Sequence, residues 1–589
     1  MTGPDELPRP IPGYFGPSER PLLGWLHPAA PQVAQRDVGV VLCNPFGYEA
    51  LCAHRSIRRF AEAVAASGYP ALRFDYDGTG DSAGDDEDPD RLAGWVGSVA
   101  RAIDHLKTRT GVDRVCLVGL RFGATVAALA AQTREDVAGF AAIAPVVRGK
   151  PWLRELRAVQ ATMGRPEPPP GLALPDGASE SVGLLLTGAT RAAIAEVDLS
   201  TRAHPPSPEC LIIDRQDRPG AVEWCDRLRL GGARVRHAVL PGYVEMMLDP
   251  HEARVPEAMI DELAGWLHDR LPDASRAARR TALGGTAESA FIAEGVQERA
   301  LFLDDARRLF GILATPIAGR PERALLLLNA GANHHIGNAR MYVRFARRLA
   351  ATGWAVLRYD VSGIGDSAPH PGEAENVVYT PEALADLRTA VEWVLREVGV
   401  REVEVAGLCS GAYVAFKGAV AGLPIRGATI VNPLVFYWKE GMSLSYPPYM
   451  MVKAAAQYRE SVLDPAKWKK LARGRVRLLP ILRVLLHRAG DRLHHLGRDV
   501  ARAVGLRLPE DLGRDLETAT GSGTRLRFVF SEGDPGETLL EAGAGRVTNR
   551  LLQAGSVALT HLPGCDHSLS SSWMHELLWQ ELLRALSGG

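Results

Sequence analysis

Several common protein classes are excluded by what the chain lacks. Its seven cysteines are scattered over 589 residues, odd in number and never spaced as C-x-x-C. That argues against a disulfide framework and a structural zinc site, and no metal or cofactor is expected. The longest apolar runs, such as Ala324–Leu328, fall far short of the roughly 18–20 residues a membrane span needs. The opening MTGPDELPRPIPG has no cationic stretch followed by an apolar one, so it does not read as a secretory signal. Neither sign of charge dominates: 68 Lys and Arg face 69 Asp and Glu, for a net charge of -1. A chain-wide basic surface for nucleic acid is thereby excluded. What remains is 46% apolar and 23% charged, an ordinary mixture for packed cores. Reduced cysteines and no leader lead us to expect a cytoplasmic protein, and the Ala, Arg and Gly bias is that of a high-GC bacterial genome.

The chain repeats itself. GVVLCNPFG followed by RRFAEAVAASGYPALRFDYDGTGDSAG (39–84) parallels ALLLLNAGA followed by VRFARRLAATGWAVLRYDVSGIGDSA (324–368). Asn44 and Asn329, like Asp75 and Asp360, lie 285 positions apart, so no gap intervenes. Each copy reads as an apolar strand, a Gly-containing loop, an amphipathic helix, a second strand and a D-x-x-G-x-G-D-S turn. Asp81 and Asp366 sit in these turns, and their presence in both copies points to turn geometry rather than chemistry. Alternating strands and helices imply right-handed crossovers and a mostly parallel sheet. The expected fold is therefore two tandem doubly wound α/β domains, 1–272 and 291–589. The segment 273–290 lacks apolar periodicity, carries Gly-Gly and reads as the linker.

A later strand in each copy runs into G-x-x-x-G and a small-residue helix. A nucleophile at the centre of such a turn is lifted clear of the sheet and faces a helix N-terminus. In the second copy the turn is Gly407-Leu408-Cys409-Ser410-Gly411; in the first it is Gly119-Leu120-Arg121-Phe122-Gly123. Cys409 can act as a nucleophile, and Arg121 cannot. The chain order nucleophile, acid, base is completed by Asp534, after the strand RLRFVFS, and by His567, after SVALTHL. Glu532 is a rival for the acid, and Cys565, beside the base loop, reads as a packing residue. An oxyanion would be held by the backbone of Ser410 and of the loop at Ala330 or Gly331. His334 and His335, which follow that loop, are candidate substrate contacts. In the first copy Asp217 occupies the acid position and Glu245 the base position. Arg121, Glu245 and Asp217 are expected to close the degenerate site with an ion-pair lock.

Both halves resemble the serine aminopeptidase-type branch of the α/β-hydrolase superfamily. The second half is similar to the first type of exosortase A system-associated hydrolase, on the strength of LRYDVSGIGDS, GLCSGA, Asn432-Pro433 and VLDPAKWKKLARGRV. The first half is similar to the second type, which also carries G-L-R-x-G-A at the elbow. The Cys elbow is similar to that of dienelactone hydrolases, whose Cys-His-Asp set maps onto Cys409, His567 and Asp534. The resemblance implies α/β-hydrolase domains with helical caps and acyl or ester chemistry, with no substrate fixed. The fusion of both types in one chain departs from the pattern.

An insertion near 437–523 occupies the cap position of the second copy. Residues 453–514 hold 15 Lys or Arg against six acids. A solvated lid face explains this charge. So does docking of an acidic acyl carrier protein or of CoA, and membrane-surface contact is a lesser alternative. The expected activity is acyl transfer or hydrolysis on an ester or thioester. A dienelactone-type carboxylesterase and a non-catalytic scaffold are the competing readings.

Overall fold

The structure, a computed structural model, describes residues 8–162, 167–272, 290–293, 295–439, 442 and 509–587. The expected linker, apart from residue 290, and nearly all of the basic lid lie outside the described residues. Packing divides the chain into two compact units. One takes Met1–Glu322, Gly331–Val378 and Leu569–Glu576; the other takes Arg323–Ala330, Tyr379–Ser568 and Leu577–Gly589.

The first unit contains β1 (Ile11–Phe15), β2 (Leu22–His27), β3 (Val38–Cys43), β4 (Ala71–Phe74), β5 (Arg114–Leu120) and β6 (Val137–Ile143). A small hairpin follows, β7 (Ser179–Ser181) and β8 (Leu184–Leu186), and then β9 (Glu209–Arg215) and β10 (Arg234–Leu240). All but the hairpin form an eight-stranded sheet in the order β1-β2-β4-β3-β5-β6-β9-β10. The β1–β2 and β2–β4 pairs are antiparallel and the rest parallel. β3 and β5 are near-continuous apolar runs, VGVVLC and RVCLVGL, because helices cover both faces of a crossover sheet. The helix Tyr48–Ala66 shows the matching pattern. It buries Ala53, Ile57, Phe60 and Val64 at three- to four-residue spacing, one apolar stripe on a polar cylinder.

Four further strands complete the first unit: β11 (Ala290–Ala293), β12 (Val296–Phe302), β13 (Phe310–Pro316) and, beyond β14, β15 (Ala355–Tyr359). They pair antiparallel in that order. In the second unit β14 (Arg323–Leu328), β16 (Glu402–Leu408), β17 (Gly427–Val431), β18 (Arg525–Ser531) and β19 (Val557–Leu562) run as neighbouring parallel strands. The repeated sequence thus yields the same strand–helix series twice.

Both D-x-x-G-x-G-D-S turns fall in the first unit and are built alike. Asp75 accepts the N–H of Asp81 (3.0 Å), and Asp360 accepts that of Asp366 (3.0 Å). Ser82 and Ser367 donate back to the carbonyls of Asp75 (2.7 Å) and Asp360 (2.6 Å). The second aspartate of each turn then pairs with the arginine of the other copy. Arg358 bonds Asp81, and Arg73 bonds Asp366 at 2.5 Å. Arg358 is 0% exposed and Asp81 2%. Arg358 also bonds the buried Glu298 at 2.6 Å, as does Arg347. Arg340 donates to four carbonyls of the first turn, those of Gly78, Gly80, Ser82 and Gly84, at 2.6–3.0 Å. His335 bridges Asp81 (Nε2, 2.7 Å) and Asp360 (Nδ1, 2.8 Å). The turns were read as geometric, and they also carry this reciprocal charge exchange.

Removing one member of a buried pair leaves the other charge uncompensated, at a cost of about 3–5 kcal/mol. Arg358→Met is therefore expected to lower the unfolding free energy by about that amount in denaturant titration, and a loss below about 1 kcal/mol contradicts the assignment. Burial alone would lower the proton affinity of His335, but Asp360 and Asp81 outweigh it and hold the affinity well above the ordinary value. A proton held more tightly in the folded state stabilises fully below the unfolded value near ~6.5, and that stabilisation is lost as pH rises through the folded value. The gap in melting temperature between wild type and His335→Gln is expected to be widest at mildly acidic pH and to close as pH becomes alkaline. A pH-independent gap contradicts this.

Candidate active site

The second unit places Cys409 between β16 and the helix Ser410–Val420, at φ 57° and ψ -111°. This is costly ground for a residue with a Cβ. The flanking glycines make it feasible. A Cβ on Gly407 would meet the backbone of Gly411 at 2.2 Å, and one on Gly411 would meet the Asn329 and Leu328 carbonyls at 2.7 and 2.8 Å. Cys409 N–H is anchored to the Val431 carbonyl at 2.9 Å. Of the seven cysteines six are buried, and Cys409 alone is partly open. Cys565 is buried, and burial pushes its thiol up to about 12, which suits a packing residue.

Asp534 lies beyond β18, caps the next helix by accepting the Gly536 N–H (2.9 Å), and holds His567 Nδ1 at 2.7 Å. Its rival Glu532 is exposed and accepts the Gly564 N–H (2.9 Å). Asp534 is therefore the partner of His567. Nε2 of His567 makes no hydrogen bond of good geometry among the described residues, yet it lies close enough to Cys409 to interact. Burial opposes the imidazolium, but hydrogen bonding to Asp534 and interaction with the Cys409 sulfur outweigh it and push His567 up to about 10. The ring is a third exposed, so solvent moderates this effect.

The Asn-Pro pair has a structural role. Asn432, fully buried at φ 47°, donates to the His567 carbonyl (2.8 Å) and Ser531 Oγ (2.8 Å) and accepts the Ser531 N–H (2.7 Å). It ties the acid loop to the base loop. Ser410, beside the nucleophile, is buried and its Oγ donates to the Asn329 carbonyl at 3.3 Å. Ala330 ends the segment after β14 that belongs to this unit, whereas Gly331, His334 and His335 belong to the other. His335 has both ring nitrogens on carboxylates, leaving neither for a substrate. His334 is buried and stacks on His54, ring centroids 4.0 Å apart. Sequence reasoning missed Tyr379, whose hydroxyl lies 4.0 Å from Cys409 Sγ, because no motif marks its loop.

Residues 51–169 and 320–476 match the family of serine aminopeptidase, S33. The chain carries two tandem copies of the α/β-hydrolase fold. Among solved structures it is similar to XC6422 from Xanthomonas campestris, an α/β serine hydrolase without a lid. The identity is 18%, over 45% of this chain and 97% of that one, with a TM-score of 0.31. It is also similar to Est1E from Butyrivibrio proteoclasticus, solved with ferulic acid (16%, 44% and 99%, TM-score 0.33), and to GrgF from Penicillium sp. sh18 (16%, 45% and 100%, TM-score 0.32). No curated protein matches. No described helix is long and apolar enough to cross a membrane.

The first copy keeps the elbow without a nucleophile. Arg121 adopts φ 55° and ψ -124°, nearly the geometry of Cys409. Its expected partners require correction. Arg121 pairs with Glu49 at 2.7 Å and Glu155 at 2.8 Å. Asp217 is taken by Arg215, and Glu245 is exposed. Glu49 lies in the first turn of the helix Tyr48–Ala66 and Glu155 in the helix Gly149–Thr162, elements other than the acid and base loops. The lock exists with other carboxylates. In the second copy, Asp534→Asn is expected to lower the proton affinity of His567 by more than about one pH unit, read by histidine NMR titration, since a neutral amide no longer favours the imidazolium. An unchanged titration contradicts the coupling.

Proposed function

We propose that the second copy is an acyl-transfer enzyme acting on esters or thioesters through Cys409, His567 and Asp534. The observation that carries this reading is the 2.7 Å Asp534–His567 bond beside a cysteine held in strained elbow geometry. His567 beside Asp534 is suited to hold the proton taken from Cys409. The thiolate attacks the acyl carbon. The oxyanion that forms faces the N–H groups of Ser410 and of the Ala330 loop. Collapse expels the alkoxide or thiolate, which takes the proton from His567. The acyl-enzyme is itself a thioester, so exchange with a CoA or carrier thioester is nearly isoenergetic. That favours thioester processing over simple ester hydrolysis, and the basic 453–514 segment fits an acidic carrier or CoA as partner. For the first copy we propose a supporting role, since Arg121 offers no nucleophile.

In hydrolysis of p-nitrophenyl acetate, Cys409→Ala and His567→Ala are each expected to lower kcat/KM by about a thousandfold or more. Ser410→Ala is expected to cost less than about tenfold, because its hydroxyl is tied to a carbonyl rather than to the base. Loss of activity in Ser410→Ala with retention in Cys409→Ala would make Ser410 the nucleophile in place of Cys409. A biological activity unchanged by His567→Ala would favour the scaffold reading.

A further inference from the structure

Tyr379 lies in the loop after the second D-x-x-G-x-G-D-S turn and takes φ 65°, a conformation a bulky side chain rarely adopts. It is buried. Its ring stacks on Trp438, centroids 4.5 Å apart and planes 14° apart, and meets the edge of Tyr413 at 5.2 Å. These contacts offset the backbone strain and leave the hydroxyl 4.0 Å from Cys409 Sγ. Strain held by surrounding packing next to a reactive atom is a signature of function. Alignment of Asp88-Pro89-Asp90-Arg91-Leu92 with Thr380-Pro381-Glu382-Ala383-Leu384 puts Glu87 where Tyr379 stands. The hydroxyl therefore belongs to the copy that keeps the cysteine.

Resting on the cysteine-nucleophile reading above, we infer that Tyr379 is a further catalytic residue, a hydrogen-bond donor to the Cys409 sulfur that assists its departure when the acyl-enzyme breaks down. In that step His567 takes a proton from water as the water oxygen bonds to the acyl carbon. The tetrahedral intermediate collapses, the carbon–sulfur bond breaks, and its electron pair goes to sulfur. The acid leaves, and the thiolate is received by protonated His567 and by the Tyr379 O–H. A thioester sulfur is a weak acceptor and a thiolate a strong one, so the bond strengthens as sulfur leaves. Burial, followed by the proximity of Cys409, holds the Tyr379 proton well above the ordinary phenol range, which keeps the donor protonated.

Tyr379→Phe keeps the ring stack and removes only the oxygen. With p-nitrophenyl acetate as probe, rapid quench and intact-protein mass spectrometry would follow the acetyl-enzyme. Tyr379→Phe is expected to acetylate at least as fast as wild type but to deacetylate about tenfold more slowly, so that the acetylated form accumulates. Tyr379→Leu, which also removes the stack, should show the same slow deacetylation if it folds. Deacetylation of Tyr379→Phe at the wild-type rate, with Cys409 acetylated in both, overturns this inference and leaves the nucleophile reading standing. Absence of acetyl on Cys409 in wild type overturns both.

Discussion

The second copy depends on one backbone constraint, the turn that forces a residue with a side chain into positive φ at the end of a central strand. Gly407 and Gly411 admit backbone where a Cβ would collide at 2.2–2.8 Å. The helix that follows can then start at Ser410 and hold Cys409 above β16. Everything at the site is arranged around that fixed point. The loops after β18 and β19 deliver Asp534 and His567, and Asn432, itself at positive φ, ties those two loops together. The same constraint survives at Arg121, where no nucleophile exists. The turn is thus a property of the fold that chemistry uses, and its retention alone does not mark activity.

A second constraint organises the first unit. Arg73 and Arg358 occupy equivalent positions, as do Asp81 and Asp366, and each arginine pairs with the aspartate of the other copy. Such a crosswise exchange is what an isologous interface looks like when both halves lie in one chain. Buried pairs of this kind contribute little net stability but penalise mispairing heavily. The repeated G-D-S turn therefore specifies which surfaces meet. His335 has no counterpart in the first copy, where Ala50 stands, and Arg340 aligns with Arg55, whose guanidinium pairs with Glu375 at 3.6 Å. His335 and Arg340 make the exchange asymmetric and fix its register.

Much of this was legible in the sequence. The 285-residue offset, the elbows and the order of Cys409, Asp534 and His567 follow from local pattern, because strand–turn–helix units are written in contiguous residues. Asp534 and Glu532 both follow the strand before the acid loop, and only the 2.7 Å bond to His567 separates them. Side-chain partners brought in from other elements were not legible. Arg121 finds Glu49 and Glu155 rather than Glu245 and Asp217, since nothing in spacing reveals how far a long guanidinium reaches. His334 and His335 follow the oxyanion loop in sequence but turn into the charge network of the first unit. Tyr379 sits in a loop whose conformation is set by tertiary stacking on Trp438.

The central claim is that Cys409 carries the acyl group. Its most direct test is incubation with a panel of acyl-CoA thioesters, followed by intact mass measurement and peptide mapping across 402–420. The account predicts a single acyl adduct on Cys409, abolished in Cys409→Ala and preserved in Arg121→Ala. An adduct on Ser410, or one that persists in Cys409→Ala, contradicts it.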